Sequence, residues 1–175
     1  MKTTTLNTLI EQCTLSAGKC AALAEAASVC LESQQHLSGV ELQITGDYKE
    51  IIVLNWNKVD LKTRQTWQNL TESVEDAAYG LAILVIWKIT PYKIIKQSFK
   101  GSGFDYWLGH KKQIDFPFQE TARLEVSGIL KGTKSQINQR LKEKLEQTEK
   151  SDNLKLPAFV IIAEFSAPLV KIKKR

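Results

Sequence analysis

At 175 residues, with 43% hydrophobic and 25% charged, the chain has the length and make-up of one globular domain, which excludes a largely disordered protein. The formal charge of +5 is a mild basic bias, below that of a dedicated nucleic-acid binder, so charge alone assigns no partner. Cys13, Cys20 and Cys30 match no zinc spacing and no disulfide framework; they read as small buried apolar residues, which points to a reducing, cytoplasmic setting. Residues 1–15 contain no continuous apolar region, so no signal peptide is expected. The long apolar run Ala77 to Trp87, bracketed by Asp76 and Lys88, is too short for a membrane span and reads as a buried helix.

In chain order, apolar residues from Leu6 to Leu31 recur at three and four and predict one amphipathic helix. Val40, Leu42 and Ile44 then alternate with Glu41, Gln43 and Thr45; with Gly46-Asp47 as a turn and Ile51 to Trp56 as the second strand, they predict a hairpin. A second helix is expected from Asp60 to Ile89, ended by Pro91, which pushes Thr90 out of the helical region. Three strands follow, Tyr92 to Phe99, Phe104 to Leu108 and Thr121 to Leu130, with Gly101-Ser102-Gly103 as a turn. Thr133 and Gln136 have the spacing of a capping box, opening a helix whose inward side is Ile137, Leu141 and Leu145. Pro157 to Phe165 is nearly all hydrophobic, the pattern of a strand buried on both faces.

Chemistry is expected in the second half. In the third of these strands Arg123, Glu125 and Ser127 share one face. Asp105, set among Phe104, Tyr106, Trp107 and Leu108, is costly to bury unless paired or bound to a cation. Asp105 and Glu125 on neighbouring strands would form a hard oxygen site suited to Mg²⁺, with Glu75 as a third ligand; an ion pair between Asp105 and Arg123 is the competing structural role. His36 and His110 lack the companions of a zinc or nucleophile site, and Gly101-Ser102-Gly103 lacks the features of a phosphate loop.

Helix, strand, strand, strand, helix, strand is the expected order from about Glu72 to Ser166. With Glu75 near the helix start, Gly103-Phe104-Asp105 on one strand and Glu125-Val126-Ser127 on the next, this half resembles the restriction-endonuclease-like, or PD-(D/E)XK, nuclease superfamily. The resemblance implies an αβββαβ core, one or two magnesium ions held by Glu75, Asp105 and Glu125, and cleavage of DNA or RNA. The family pattern places a lysine where Ser127 stands, so a substitute ammonium is expected from Lys96, Lys93 or Lys142. Gln136, Arg140 and Lys142 on the following helix are candidate phosphate contacts.

The whole chain is thus expected to be one α/β (α+β) domain. Residues 1–58 would form an N-terminal helix and hairpin, residues 60–168 the nuclease-like core and residues 169–175 a basic tail. Two other functions fit the same sequence. One is a nuclease-like subunit that binds or assembles without catalysis, and the other is a protein-binding domain of unrelated α/β fold, of the immunity or antitoxin type, using the aromatic strand 104–107.

Overall fold

The structure, a computed structural model, describes residues 2–175. It has mixed α+β content organised on one eight-stranded mixed sheet, with strand order β1-β3-β2-β8-β7-β6-β5-β4. The strands are β1 (Lys2–Thr5), β2 (Val40–Gly46), β3 (Glu50–Asn55), β4 (Tyr92–Gln97), β5 (Tyr106–His110), β6 (Ala122–Ile129), β7 (Ala158–Glu164) and β8 (Leu169–Lys174). The helices are α1 (Ala17–Ser33), α2 (Leu61–Thr66), α3 (Leu70–Ile89) and α4 (Lys134–Thr148). β4, β5 and β6 form an antiparallel meander, and β7 returns parallel to β6 after α4. Among the described residues no helix is long and apolar enough to cross a membrane.

Both faces are covered around β6 and β7, where alternate side chains point to opposite sides, while β2 and β3 keep alternate residues on a partly exposed face. Leu124 and Val126 of β6, with Phe159 and Ile161 of β7, pack under α1 and α3 in the main core. Val160 and Ile162 point the other way and meet Ile137 and Leu141 of α4. All seven residues of β7 are buried, as its continuous hydrophobic run requires. The capping box at Thr133 and Gln136 is formed, which fixes where α4 begins.

Several elements differ from the sequence expectation for local reasons. The Leu6–Leu31 stretch is two pieces, because Leu6–Glu11 is a 3-10 turn and Ser16 caps a fresh start at α1. Between them Thr14 donates its backbone N–H to the Ile94 carbonyl, so this segment covers the outer edge of β4. The expected helix from Asp60 to Ile89 also breaks, at residues 67–69, where the Trp67 indole donates to Glu25 and the Ser73 hydroxyl donates to the Trp67 and Asn69 carbonyls. Residues 2–5, for which no element was expected, add β1 beside β3. The basic tail is corrected outright: Leu169–Lys174 is an interior strand between β2 and β7, with Val170 and Ile172 turned into the core and Lys171 and Lys173 away from it.

The backbone of α3 lies so close to β6 that a methyl group on Gly128 would sit 2.3 Å from the Val74 carbonyl oxygen. Gly128→Ala therefore has to push two packed elements apart and should destabilise by about 1–3 kcal/mol in urea melts. Gly18→Ala, in open space in the first turn of α1, should leave stability unchanged or slightly raised.

Candidate functional site

The polar face of β6 looks onto α4, which runs antiparallel to it, and each of its three polar residues meets a different part of that helix. Arg123, only 3% exposed, donates to the carbonyls of Thr148 and Leu156 and to Ser151, and reaches Asp152. It thereby anchors the segment that leads from α4 into β7. Ser127 accepts from the Arg140 guanidinium at 2.9 Å. Between these two, Glu125 accepts from the Lys144 ammonium at 2.6 Å and from the Gln147 amide at 2.9 Å. Arg140, Lys144 and Gln147 are spaced four and three apart, one stripe of the helix, so a single docking of α4 delivers all three.

Asp105 arrives from the turn that leads into β5. Its N–H donates to the Leu124 carbonyl at 2.9 Å, and its Oδ2 accepts from the Val126 N–H at 2.8 Å, which brings the carboxylate to the Glu125 side of β6. The preceding turn is held against α4 by Gly103: its φ of +88° suits glycine, and an added Cβ would lie 2.6 Å from the Gln147 carbonyl oxygen. Asp105 and Glu125 come to one cleft as expected, but Gly103, Phe104 and Asp105 are not on a strand: they form the turn that leads into β5, which begins at Tyr106. The expected Asp105–Arg123 ion pair is not formed, because the guanidinium is committed to residues 148–156.

A cleft of about 380 Å³ opens here, lined by Glu75, Asp105, Glu125, Lys144, Gln147 and Lys150 together with the turn between β4 and β5. Glu125 has no exposed surface, and its Oε2 has no hydrogen-bond partner among the described residues. Burial first, and the neighbouring Asp105 carboxylate second, raise its pKa from an ordinary 4.5 to about 7 despite Lys144. Burial also pushes the Asp105 carboxyl upward, opposed by the Val126 N–H and by Lys144. Glu164, equally buried, offers a contrast: it accepts from the N–H groups of Gly132, Ser166 and Ala167 and from the Ser166 hydroxyl, and is a satisfied loop anchor. The Asp105–Glu125 pair has fewer donors than oxygens, which favours a proton or a metal cation between them.

The remaining candidates are placed as follows. Glu75 lines the cleft from α3 and accepts from the Tyr79 hydroxyl at 3.0 Å. Tyr79 is held well above an ordinary phenol by burial and by Asp105 and Glu75. Lys96 pairs with Glu120 and lies over the Trp107 ring, away from the cleft. Lys93 donates to the Gln113 carbonyl. Lys142 faces Glu146 on the exposed side of α4, and Gln136 is used in the capping box. Ser127 and Arg140 occupy each other. The ammonium at the acid pair is Lys144, whose signal in the sequence was its place in the Arg140-Lys144-Gln147 stripe.

A hollow of about 420 Å³ lies between the Leu6–Glu11 turn, α1 and residues 57–63. Its charged groups, Glu25, Lys58 and Asp60, are exposed, so the chemistry concentrates in the other cleft, where Glu125 is buried and Asp105 half-buried. Among the described residues no three His, Cys, Asp or Glu side chains gather as a metal-ligand set. The site consists of an acid pair, an ammonium and a more distant acid. Compared with protein-family models, curated proteins and solved structures, the chain gives no match in any of the three.

The raised Glu125 pKa has a definite sign in stability. Between its ordinary 4.5 and about 7, the folded protein holds a proton that the unfolded chain has released. This contribution is fully present below 4.5 and is lost as the pH rises through 7. Without divalent cations the protein should therefore melt lower at pH 8 than at pH 6. Asp105→Asn removes one of the causes while keeping an oxygen for the Val126 N–H, so it should flatten this dependence and raise the pH 8 melting temperature. A clear fall in stability on making Asp105→Asn at pH 8 would contradict the repulsive-pair assignment.

Proposed function

We propose that the chain is a metal-dependent nuclease of the restriction-endonuclease-like, PD-(D/E)XK, type, with α3-β4-β5-β6-α4-β7 as its αβββαβ core. The meander β4-β5-β6, the parallel return of β7 beside β6 and the cover of α3 and α4 on opposite faces support this reading. The observation that carries it is the meeting of Asp105 and Glu125 with Lys144 in one cleft, where Glu125 Oε2 is buried without a partner.

The donors fit magnesium, since they are hard oxygens and the buried, mutually repelling carboxylates are relieved by a cation. Asp105 and Glu125 would hold the ion, and Glu75, the more distant acid, would face it from the α3 side of the cleft. When bound, magnesium would supply a Lewis acid for the scissile phosphate and lower the pKa of an attacking water. Lys144 takes the part that the sequence pattern assigns to the residue at 127: its ammonium orients Glu125 and gives a positive charge to an entering phosphate. Gln147 holds both the Glu125 carboxylate and the Lys144 ammonium, so the three move as one unit. Arg140, Gln136 and Lys142 lie further along α4, where phosphates of a bound strand would be met by charge rather than by base-reading contacts.

A second reading, a nuclease-like protein that binds without cutting, is favoured by the Lys144–Glu125 pair, which partly balances the site internally. Ile114 and Phe116, 82% and 86% exposed on the loop between β5 and β6, would suit a protein partner in that case.

With a mixture of labelled single- and double-stranded oligonucleotides, wild type should cut in Mg²⁺ or Mn²⁺ and not in EDTA. Asp105→Asn, Glu125→Gln and Lys144→Ala should each lower the rate by roughly 100-fold or more, as loss of a transition-state contact does. Lys96→Ala and Lys142→Ala should retain most of it. No cleavage by wild type, combined with no rise in melting temperature on adding Mg²⁺, would leave the binding function in place of the nuclease.

A further inference from the structure

Phe99 is 88% exposed, yet it lines the cleft that holds the acid pair. A phenyl ring left in water is ordinary on a surface, but this one sits on an unusually well-fixed turn. Ser98 donates its N–H to the Asp105 carbonyl at 2.7 Å and its hydroxyl to Ser102 at 2.8 Å, and the Ser102 N–H donates to the Phe99 carbonyl at 3.2 Å. The Ser102 hydroxyl in turn donates to the Phe104 carbonyl at 2.9 Å. Positive φ at Gly101 and Gly103 closes the turn tightly, and the second of these presses against the end of α4. Phe104, five residues on, is buried edge-to-face against Trp107, so the turn has a firm floor while Phe99 has no such partner. Exposed Lys100 and Lys150 line the same mouth.

An exposed aromatic ring carried on a fixed turn beside lysines, a few residues from paired carboxylates, matches the way single strands are bound: bases stack on the ring and ammonium groups follow the phosphates. In a duplex each base already has its faces covered by its neighbours, so the ring has nothing to stack on. The cleft, about 380 Å³, is at the small end of pockets that enclose small molecules, room for one nucleotide's phosphate and sugar. We propose that Phe99 is a stacking platform for an unpaired base at the mouth of the cleft and that the substrate is single-stranded nucleic acid. This rests on the nuclease reading and narrows it to a substrate class.

The test is equilibrium binding in EDTA, where cleavage is stopped, of a labelled single strand and of the same sequence closed into a hairpin duplex. Wild type should prefer the single strand. Phe99→Ala should weaken that binding about tenfold, the size of losing one stacked base, with less than a twofold effect on the duplex. Phe99→Trp should restore it, and 2-aminopurine in the single strand should be quenched by wild type and not by Phe99→Ala. The exposed position makes loss of fold in the variant easy to exclude by an unchanged melting temperature. Equal affinity of wild type and Phe99→Ala, or no preference for the single strand, would overturn the stacking assignment while salt-sensitive binding kept the nuclease reading alive. No binding of either oligonucleotide by wild type, in EDTA or with Ca²⁺ in place of Mg²⁺, would overturn both.

Discussion

A carboxylate with no exposed surface has to be compensated from inside the fold, and at Glu125 that requirement sets the geometry around it. The residue lies on β6, between β5 and β7, and lines the cleft with no exposed surface of its own. Lys144 and Gln147 supply donors from α4 and Asp105 adds a second negative charge from the adjoining turn. An uncompensated charge there would cost several kcal/mol. The docking of α4 on β6, the close approach of Gly103 to Gln147 and the shape of the cleft follow from meeting that cost with two donors and leaving one oxygen open. Glu164 is the useful comparison: a buried acid whose role is structural collects donors on both oxygens.

The sheet supplies the rigidity this arrangement needs. β6 is buried on both faces, by α1 and α3 on one side and by α4 on the other, and Asp105 is tied to it through the Leu124 carbonyl and the Val126 N–H, so the two carboxylates are held together. The N-terminal strands β1, β3 and β2 join the same sheet through β8, which pairs with β2 and β7. The two parts expected from sequence therefore share one sheet, and the last strand in the chain is its seam. Arg123 adds a second fastening next to the site by tying residues 148–156 to β6.

Alternation and capping made much of this legible in the sequence. The polar face Arg123, Glu125, Ser127, the capping box at Thr133 and the nearly continuous hydrophobic run of β7 each carry their own local signal, and each is where it was expected. What escaped depends on contacts distant in sequence. Lys144 is one lysine among several on a polar helix face, and only the antiparallel docking of α4 on β6 singles it out from Lys142. Arg123 read as a partner for Asp105 because its real acceptors are mostly backbone carbonyls, which every residue has. In β8 the lysines masked an alternation that was present, with Val170 and Ile172 inward and Lys171 and Lys173 outward. The breaks near Gln12 and Trp67 lie inside helical spacing, where caps and indole contacts override periodicity.

The proposed function requires Asp105 and Glu125 to form the two-carboxylate core of a divalent-metal site beside Lys144. Crystals soaked in Mn²⁺ and measured at its absorption edge test it directly. The account expects an anomalous peak at coordination distance, about 2.2 Å, from an oxygen of each carboxylate, including the Glu125 Oε2 that now lacks a partner. No peak between them at near-saturating Mn²⁺ and pH 8, with Lys144 and Gln147 still closed on Glu125, would contradict it.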